Sequence, residues 1–468
     1  MSVRRAKIVA TLGPGSADPA LVAALIAAGM DVARLNASHG TQEQLAGLIG
    51  TVRAAAEAAG KPIAILLDLQ GPRIRVGDLP APLTLTAGQE AVFAPEETAN
   101  AGEIPTTYAA LAHDVRVGAR ILLEDGLLSA EVTAVEPPRV RSRVVFGGVL
   151  SSHKGINLPG IRVSAPALTE KDRADAAFAA VQGVDYVALS FVRRAEDIAE
   201  LRALLPGCIR IVAKIEKDTA LADAERIIEA SDAVMVARGD LGVELPFEEV
   251  PLVQKRLIRL AIAHRRPVIT ATQMLESMVH HPRPTRAEAS DVANAILDGT
   301  DAVMLSAETA VGAYPREAVE AMDRIIREIE GHADLRTRAE AGVDAGTPAR
   351  TEHAVAEAAV AAARMLHVPL LVGFTKSGFS ARVLAASRPP VPILVVTDEE
   401  RTYRQMALIW GVIPMLAHEP PNYERMLDAA RERILARGYA RKGDRVVVTA
   451  GVPFDVPGTT NLMKIEEV

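Results

Sequence analysis

The sequence predicts an α/β protein with three parts: a (β/α)8 barrel, an all-β lid domain inserted into that barrel, and a C-terminal doubly wound α/β domain. Three observations support this prediction. Short apolar runs alternate with helical segments, a stretch of different pattern interrupts this alternation once, and a polar linker around 336–350 separates it from a second alternating region. The predicted boundaries are 1–75 and 164–335 for the barrel, 76–163 for the lid, and 336–468 for the last domain.

Three strand–helix units precede the break. The predicted strands are 7–13, 31–36 and 62–68. Asp18 is typical of an N-cap, and Pro19 of the first helical position, where a missing N–H costs no hydrogen bond. These units predict the first part of the barrel.

The inserted segment has a different pattern, with short alternating runs separated by proline and glycine. Asp125-Gly126 predicts a hairpin turn between two of its strands. An insertion after the third barrel strand leaves from the carboxyl face of the barrel. The segment could therefore close over a site there as a lid.

Five more strand–helix units follow the lid. Their predicted strands are 184–190, 210–216, 233–237, 267–272 and 301–306. Thr285 and Glu288 form a capping-box pattern at the start of one helix. Eight strands, each followed by a helix, predict a closed barrel with its active site at the carboxyl ends of the strands.

The last domain repeats the alternation on a smaller scale. Its predicted strands are 370–374, 392–397, 412–415 and 445–449, with an edge strand at 462–465. Such a pattern is typical of a doubly wound sheet. Trp410 ends an apolar helix face, so we expect it in the core or at an interface.

Composition excludes several classes of function. The chain has 468 residues and a net charge of −7, whereas nucleic-acid and membrane-surface binders carry a basic stripe. No stretch approaches the roughly 20 apolar residues of a membrane span, and the N-terminus lacks the apolar segment of a signal peptide. With one cysteine, Cys208, no internal disulfide can form, so we expect a cytoplasmic protein. Cys208 itself is expected to be a small buried residue rather than a nucleophile.

Functional groups follow several of the predicted barrel strands. Lys214, Glu216, Asp240 and Thr272 each lie at or just after the end of an apolar run. Mg²⁺ is usually held by one or two carboxylates, with substrate oxygens and water completing its octahedron. The carboxylates could instead be solvated loop residues, but both follow strongly apolar strands at the same predicted face. We therefore expect a divalent cation and an anionic substrate at this mouth.

Lys214 precedes Glu216 by two residues, so both side chains point to the same side of the strand. A lysine inside a barrel needs an anionic partner. Two roles remain open from the residues alone. Lys214 is either a cation for a transferring phosphoryl group or a Schiff-base nucleophile.

Two arginines lie near the same predicted face. Arg34 lies in strand two and Arg75 follows strand three, and a guanidinium fits phosphate better than an ammonium does. The alternative is an ordinary surface arginine. His39 is either a ligand contact or a structural histidine. Asn36, Ser38 and Asp68 add hard oxygen ligands that suit a monovalent or divalent cation.

A polar loop joins a strand to a helix in the last domain. It contains Thr375, Lys376, Ser377, Gly378 and Ser380. The N–H groups at a helix N-terminus can bind phosphate, although many strand–helix connections share this composition. The chain has neither of the two common glycine-rich nucleotide fingerprints, so any nucleotide is held differently.

Several ordered motifs resemble the pyruvate kinase family. They are ARLNASHG at 33–40, KGINLPG at 154–160, AKIE at 213–216, MVARGDLG at 235–242, ATQMLESM at 271–278, PRPTRAE at 282–288 and MLSAET at 304–309. The resemblance covers essentially the whole chain. It implies transfer of a phosphoryl group from phosphoenolpyruvate to ADP, giving pyruvate and ATP, as in the last step of glycolysis.

The resemblance also implies roles for individual residues. Lys214 neutralises the migrating phosphoryl group, and Arg34 grips the phosphate from the other side. Glu216 and Asp240 hold Mg²⁺, which Mn²⁺ could replace.

Further roles carry over for the substrate carboxylate and the nucleotide. The amides of Gly239 and Asp240 and the Thr272 hydroxyl receive the carboxylate, and Thr272 helps a water protonate the enolate carbon. The residues implied on the ADP side are Pro14, His39, Arg75 and Lys154. The family also implies a homotetramer and a phosphorylated effector at the loop of Thr375 to Ser380, where Phe379 replaces a residue that is commonly polar.

One departure from the family pattern concerns potassium. Potassium-dependent members have a glutamate where this chain has Arg73, and members with a lysine there dispense with potassium. We therefore expect Arg73 to supply the charge of K⁺, so that K⁺ is not required. Asn36, Ser38 and Asp68 would then form a vestigial cation pocket.

Two other functions compete with this interpretation. One is a metal-dependent carbon–carbon lyase that handles pyruvate enolate in a similar barrel. The other is a metabolite-sensing protein that kept the fold and lost turnover. The intact set of Arg34, Lys214, Glu216, Asp240 and Thr272 argues against the second.

Overall fold

The structure is a computed structural model that describes residues 3–332, 350–417, 423–452 and 460–468. Its first elements are three parallel strands and two helices. These elements are β1 (Lys7–Leu12), α1 (Pro19–Ala28), β2 (Val32–Asn36), α2 (Gln42–Ala59) and β3 (Ala64–Asp68). Asp18 caps α1, since its carboxylate accepts hydrogen bonds from the N–H groups of Ala20 and Leu21. Every residue of β1 and β3 is buried, as expected for strands covered on both faces.

The inserted domain consists of short strands and one helical turn. Its elements are β4 (Leu83–Leu85), β5 (Glu90–Pro95), β6 (Ile104–Thr106), α3 (Leu111–Asp114), β7 (Arg120–Leu123), β8 (Leu128–Glu136), β9 (Arg139–Phe146), β10 (Gly148–Leu150) and β11 (Ile156–Asn157). β7 and β8 are antiparallel, and Asp125-Gly126 lies between them, which confirms the hairpin. The four-residue α3 departs from the all-β prediction. The domain has its own apolar core around Phe93 and Ile121.

Alternating strands and helices resume after the lid. They are α4 (Glu170–Gln182), β12 (Tyr186–Leu189), α5 (Ala195–Leu204), β13 (Arg210–Ile215), α6 (Ala224–Ala230), β14 (Ala233–Ala237), α7 (Arg238–Glu244), α8 (Val250–Ala263), β15 (Val268–Ala271), α9 (Arg286–Asp298), β16 (Ala302–Leu305), α10 (Ala307–Ala310) and α11 (Pro315–His332). The sequence did not predict α7, which starts at the residue after β14. The capping box of Thr285 and Glu288 opens α9 as predicted.

Eight parallel strands close into a barrel, which confirms the predicted fold. Their order around the barrel is β1, β2, β3, β12, β13, β14, β15 and β16, and β16 pairs with β1. The lid leaves after β3 and returns before β12, and these two strands are neighbours. It therefore emerges at the carboxyl ends of the strands. Side chains at those ends converge on one mouth.

The last domain is a five-stranded sheet with helices. Its elements are α12 (Thr351–Leu366), β17 (Leu371–Phe374), α13 (Phe379–Ala386), β18 (Ile393–Thr397), α14 (Glu400–Gln405), β19 (Val412–Leu416), α15 (Tyr423–Arg437), β20 (Arg445–Ala450) and β21 (Leu462–Glu467). Among the described strands the sheet order is β19, β18, β17, β20, β21, and only β21 is antiparallel to its neighbour. Most of the predicted linker at 336–350 lies outside the described residues.

The last domain packs against the amino-terminal end of the barrel. A 3₁₀ turn at Met406–Leu408 places Ala407 and Leu408 in an apolar cluster with barrel residues such as Val9. The Tyr186 hydroxyl donates to the Gln405 carbonyl at 2.7 Å. This contact closes the end of the barrel opposite the predicted active site.

Two residues at this junction test predictions from the sequence. Trp410 is 5% exposed, and the guanidinium groups of Arg5 and Arg388 lie 5.6 and 4.7 Å from its ring centre, so its assignment to the core or an interface is confirmed. The expectation that Cys208 is buried is wrong. It is exposed, in the turn before β13, and its Sγ contacts Arg401 of the last domain. The Pro-Gly pair before it keeps this turn at the surface.

Within the described residues, no helix has both the length and the apolar character needed to span a membrane.

Candidate active site

Lys214 lies near the carboxyl end of β13 with its side chain inside the barrel. Its ammonium donates to Glu216 Oε1 at 2.8 Å and to Ser190 Oγ at 2.8 Å, and it lies 3.2 Å from Asp68 Oδ1. Burial alone would lower the pKa of Lys214, but Asp68 and Glu216 outweigh it and raise that pKa above its ordinary value. A Schiff-base lysine needs a neutral amine. The geometry therefore favours Lys214 as a fixed cation.

Arg34 on β2 faces the same interior. Its Nε and one of its Nη atoms lie 2.7 Å from Asp68 Oδ2, and its other Nη donates to Thr11 Oγ1 at 2.9 Å. Burial by itself raises the pKa of Asp68, but Lys214 and Arg34 hold that pKa below its ordinary value. Asp68 thus stays ionised and fixes the spacing between two cations.

Glu216 and Asp240 bring two carboxylates to this mouth. Glu216 follows β13 and is buried, and its Oε2 accepts a hydrogen bond from Phe191 N–H at 2.7 Å. Asp240 is half-buried in the first turn of α7. Burial raises the pKa of Glu216 to about 7, Lys214 opposes this shift, and Asp240 adds to it. Repulsion between two close carboxylates is relieved by a cation.

These carboxylates suit a hard divalent cation. The described residues contain no cluster of three or more His, Cys, Asp or Glu side chains that could hold a metal. Mg²⁺ rarely uses such a cluster, because it keeps several waters and shares oxygens with its substrate. Two carboxylates, with water and substrate oxygens as the remaining ligands, are therefore an adequate donor set.

Thr272 follows β15 in a backbone conformation that is rare for its type. Its φ is +68°, and that of Gln273 is +55°. Left-handed φ is unfavourable for a β-branched residue. The Thr272 hydroxyl donates to the Ala271 carbonyl at 2.7 Å and accepts from Gly239 N–H at 2.7 Å. The turn thus places a hydroxyl next to the start of α7, beside Asp240.

A cleft of about 360 Å³ lies between the lid and the barrel. Arg75, Lys154 and Asp240 line it, so it opens towards the carboxylates. Lys154 pairs with Glu124 of the lid. Two of the residues predicted to contact the nucleotide, Pro14 and His39, are exposed and lie outside this lining.

His39 still lies within the electrostatic field of this mouth. Burial lowers its pKa, and the charges of Arg73, Arg75 and Arg34 lower it further. An imidazole whose pKa lies below its ordinary value is mainly neutral at pH 7. It is then able to accept or donate a hydrogen bond without adding charge.

The oxygens predicted to form a cation pocket meet at the ends of β2 and β3. Asn36 and Asp68 are register partners, and Asn36 Oδ1 accepts a hydrogen bond from Ser38 N–H at 3.0 Å. Asp68 is already paired with Arg34 and Lys214. Arg73 is exposed and lines the cleft. Asn36 Oδ1 and the Asp68 carboxylate thus have protein partners, and Arg73 brings a positive charge to the cleft.

The predicted effector loop connects β17 to α13, far from this mouth. Gly378 has φ +72° and is the N-cap of α13. Ser380 is buried, with its hydroxyl 2.6 Å from that of Thr460, and Lys376 lies 3.6 Å from Asp398. The Thr375 N–H donates to a strand carbonyl. The Ser377 carbonyl accepts a hydrogen bond from Arg210, at the start of β13.

The sequence reasoning missed two residues that support this site. Ser190 follows β12, accepts a hydrogen bond from Lys214 and donates to the Leu69 carbonyl at 2.7 Å. A polar residue at the end of an apolar strand was the available signal. Arg238 lies within a quoted motif, but no pattern shows that its side chain turns inward to the Thr272 carbonyl, at 2.7 Å.

Family models decide the relationship of this chain to known proteins. The model of the pyruvate kinase barrel domain matches residues 3–319, and the model of the pyruvate kinase alpha/beta domain matches residues 353–466. The chain belongs to the pyruvate kinase family. It is accordingly a phosphotransferase, and members of this family generally need a divalent metal.

Individual relatives agree over almost the whole chain. A pyruvate kinase of Geobacillus stearothermophilus is 46% identical over 473 residues, which cover 99% of this chain and 80% of the relative. One of Agrobacterium vitis is 45% identical and is covered over 99% of its length. The crystal structure of a pyruvate kinase from Cryptosporidium parvum superposes with a TM-score of 0.94 at 34% identity, covering 99% of this chain and 96% of that one.

Proposed function

We propose that this phosphotransferase transfers the phosphoryl group of phosphoenolpyruvate to ADP, giving pyruvate and ATP, with Mg²⁺ as its divalent cation. The observation that carries the proposal is the buried array of Lys214, Asp68 and Arg34 beside Glu216. Phosphoryl transfer depends mainly on positioning and on stabilising negative charge. Two fixed cations at one mouth supply both.

Lys214 and Arg34 would bind the phosphoryl group from two sides. Asp68 holds both of them in place, so neither cation has to reorganise during the reaction. Lys214 remains charged because its pKa is raised. It can therefore neutralise the oxygens of the group as the group leaves the enolate oxygen.

Glu216 and Asp240 would hold the divalent cation. These two carboxylates would keep Mg²⁺, or Mn²⁺ in its place, at the mouth, where the ion would supply positive charge to stabilise the negative charge of the substrates. The raised pKa of Glu216 supports this assignment, since a cation there would favour its ionised form.

Gly239, Asp240 and Thr272 would receive the substrate carboxylate. The Gly239 N–H now donates to the Thr272 hydroxyl, and a carboxylate could accept that hydrogen bond instead. The Thr272 hydroxyl oxygen would then have a lone pair available to accept a hydrogen bond from the water that protonates the enolate carbon, while its proton stays on the Ala271 carbonyl. ADP would bind in the cleft under the lid, near Arg75 and Lys154.

His39 and Pro14 would complete the nucleotide side from the barrel. Both are exposed, and the arginines around His39 keep it neutral.

Further proposals rest on family membership. They are a homotetramer in the cytoplasm, and a phosphorylated effector at the loop that includes Lys376. Sedimentation tests the assembly, and flat kinetics with AMP and sugar phosphates would count against the effector.

The deciding experiment is pyruvate formation from phosphoenolpyruvate with ADP and Mg²⁺. Lys214→Met should keep its circular dichroism spectrum but lose turnover by about a thousandfold or more, because a positioned cation contributes on the order of 10³–10⁵. Lys442→Met, at an exposed position, is the control. Near-normal turnover in Lys214→Met would remove Lys214 from the mechanism. A carbon–carbon lyase would form no ATP, and a sensing protein would show no turnover.

We also propose that Arg73 replaces K⁺. Activity with Mg²⁺ and a bulky organic cation should match activity with Mg²⁺ and K⁺. Arg73→Glu should create activation by K⁺, because a carboxylate next to Asn36 and Ser38 restores a site for a monovalent cation. Strong activation of the unaltered protein by K⁺ would refute the proposal.

A further inference from the structure

The lid touches the barrel at the last turn of α7, the short helix that carries Asp240. On the lid side, the Asn157 side-chain amide on β11 donates to Glu244 Oε1 at 3.4 Å. A side chain added at Gly126, in the lid hairpin, would lie 3.9 Å from Val243 Cγ1. Two segments of the lid thus meet two consecutive residues of α7.

Glu244 also binds a lysine of the barrel. Its side chain is only 1% exposed, and Oε1 accepts a hydrogen bond from Lys217 Nζ at 2.7 Å. The Lys217 ammonium lies 6.0 Å from the centre of the Phe191 ring, whose face attracts a cation. We call Asn157, Glu244 and Lys217 the lid bridge. It joins the two domains through one carboxylate oxygen.

The lid bridge is only partly formed. A separation of 3.4 Å exceeds the usual N–H···O range of about 2.7–3.2 Å. Glu244 Oε2 is buried and has no hydrogen-bond partner among the described residues. A buried carboxylate oxygen without a donor costs free energy. Because the Asn157 amide has two N–H groups, a small movement of the lid towards α7 would shorten the existing hydrogen bond and bring a donor to Oε2.

Both carboxylates assigned to the divalent cation lie next to the lid bridge. Lys217 directly follows Glu216 in the chain, and Glu244 lies four residues after Asp240 on α7. Side chains four residues apart lie on the same face of a helix. Lys217 also lines the cleft between the lid and the barrel, together with Asp240. A displacement of the bridge therefore reaches both carboxylates through short stretches of chain.

Building on the proposed function, which assigns ADP to the cleft, we propose that the lid bridge couples the position of the lid to the two metal carboxylates. Glu244 and Asn157 are then positioning residues for the nucleotide and its metal. Closing the lid over a nucleotide completes the bridge, so the bridge stabilises the bound state more than the free state. An ion pair that only supports the barrel would not make nucleotide affinity depend on Asn157, a residue of the lid.

Binding of ADP to the full chain in the presence of Mg²⁺, measured by calorimetry, tests this coupling. Asn157→Ala and Glu244→Gln should each weaken binding by about threefold to tenfold, because hydrogen bonds to a charged group are the stronger ones. The double variant should bind no more weakly than Glu244→Gln, since both changes break the same contact. Glu248→Gln after α7 and Asn100→Ala on the lid, both at exposed positions, should bind as the unaltered protein does.

Hydrogen exchange followed by mass spectrometry provides a second readout, which needs no nucleotide. Asn157→Ala should raise the exchange rate of the backbone amides in residues 238–244, although the substitution lies in the other domain. Asn100→Ala should leave that rate unchanged. ADP with Mg²⁺ should protect these amides in the unaltered protein, and protect them less in Glu244→Gln.

Three results would each overturn the proposal. One is ADP affinity in Asn157→Ala and Glu244→Gln equal to that of the unaltered protein. The second is a double variant in which the two losses add. The third is unchanged exchange of residues 238–244 in Asn157→Ala. Two variants on different domains guard against misfolding of either one. If the unaltered protein bound no ADP while Asn157→Ala still raised exchange in α7, the lid bridge would stand and the proposed function would fall.

Discussion

Arg238 lies beneath the strained turn at Thr272 and Gln273. Its guanidinium donates to the Thr272 carbonyl at 2.7 Å and lies 2.7 Å from the Asp291 carboxylate, and it is also bonded to Gln254 at 3.3 Å. Left-handed backbone at such residues costs on the order of 1–3 kcal/mol each and persists only where the surroundings impose it. We infer that Arg238 is a positioning residue that holds the Thr272 hydroxyl in place.

Arg238→Lys should lower kcat by on the order of a hundredfold, because a point charge cannot bond Thr272, Gln254 and Asp291 together and a displacement of about 1 Å is costly. The KM for ADP should change little, since Arg238 lies outside the lid cleft. Exchange of pyruvate methyl protons in D₂O, followed by NMR, should fall in parallel with kcat. An unchanged exchange rate would show that Arg238 does not act through Thr272.

The sequence predicted those site residues that follow apolar strands. Lys214 and Glu216 could be found because a buried parallel strand that ends in charged residues needs a functional reason. Arg238 and Ser190 could not be assigned roles, because their roles depend on side-chain direction across neighbouring strands. Cys208 was misassigned for a related reason. Cysteine is usually buried, but here a Pro-Gly turn keeps it at the surface.

At the level of elements, the start of α9 depends on its capping box. The Glu288 carboxylate accepts hydrogen bonds from the N–H groups of Ser277 and Thr285, at 2.7 Å each, and from both hydroxyls. Burial by itself raises the pKa of Glu288, but these donors hold that pKa below its ordinary value. A lowered carboxyl pKa stabilises the folded state above the ordinary pKa, and this stability is lost as the pH falls.

Glu288→Gln should therefore destabilise the protein by about 1 kcal/mol near neutral pH, a typical cost of losing a cap. The difference in melting temperature between the two proteins should stay constant from neutral pH down to the ordinary glutamate pKa of about 4.3, and should narrow as the pH falls below it through the lowered pKa of folded Glu288. Glu328→Gln, at an exposed position of α11, is the control. A difference that is constant with pH would contradict the role of the charge.

Most strands were predicted correctly because parallel strands buried on both faces are continuous apolar runs. α7 was missed because it follows β14 without a connecting loop and contains Gly239 and Gly242, which are poor helix formers. A 3₁₀ turn at Asp218–Ala222 precedes α6, and apolar spacing does not distinguish the two helix types over so few residues.

At the scale of the whole molecule, the sequence predicted three parts but not how they pack. An alternating pattern defines each sheet, yet it does not show which end of the barrel the last domain covers. That arrangement depends on contacts between distant residues. Examples are Lys7 Nζ with the Val412 carbonyl at 2.8 Å and Arg404 with Asp185 at 3.1 Å.

The single tryptophan offers a direct measurement of this packing. Trp410 is buried at the junction, and the Arg388 guanidinium lies 4.7 Å from its ring centre. Arg388 also pairs with Asp301 at 2.9 Å, and both side chains are 7% exposed. Arg388→Met keeps most of the apolar volume but leaves Asp301 buried without its counter-ion, which costs about 3–5 kcal/mol.

Arg388→Met should therefore loosen the junction before either domain unfolds. Emission from Trp410 should shift to the red at lower urea concentration than in the unaltered protein, while far-ultraviolet circular dichroism still reports folded barrel and sheet. Arg445→Gln removes the same charge at an exposed position and should leave the emission transition unchanged. If both signals moved together in Arg388→Met, the two domains would form one cooperative unit, and the ion pair would stabilise the whole molecule rather than its junction.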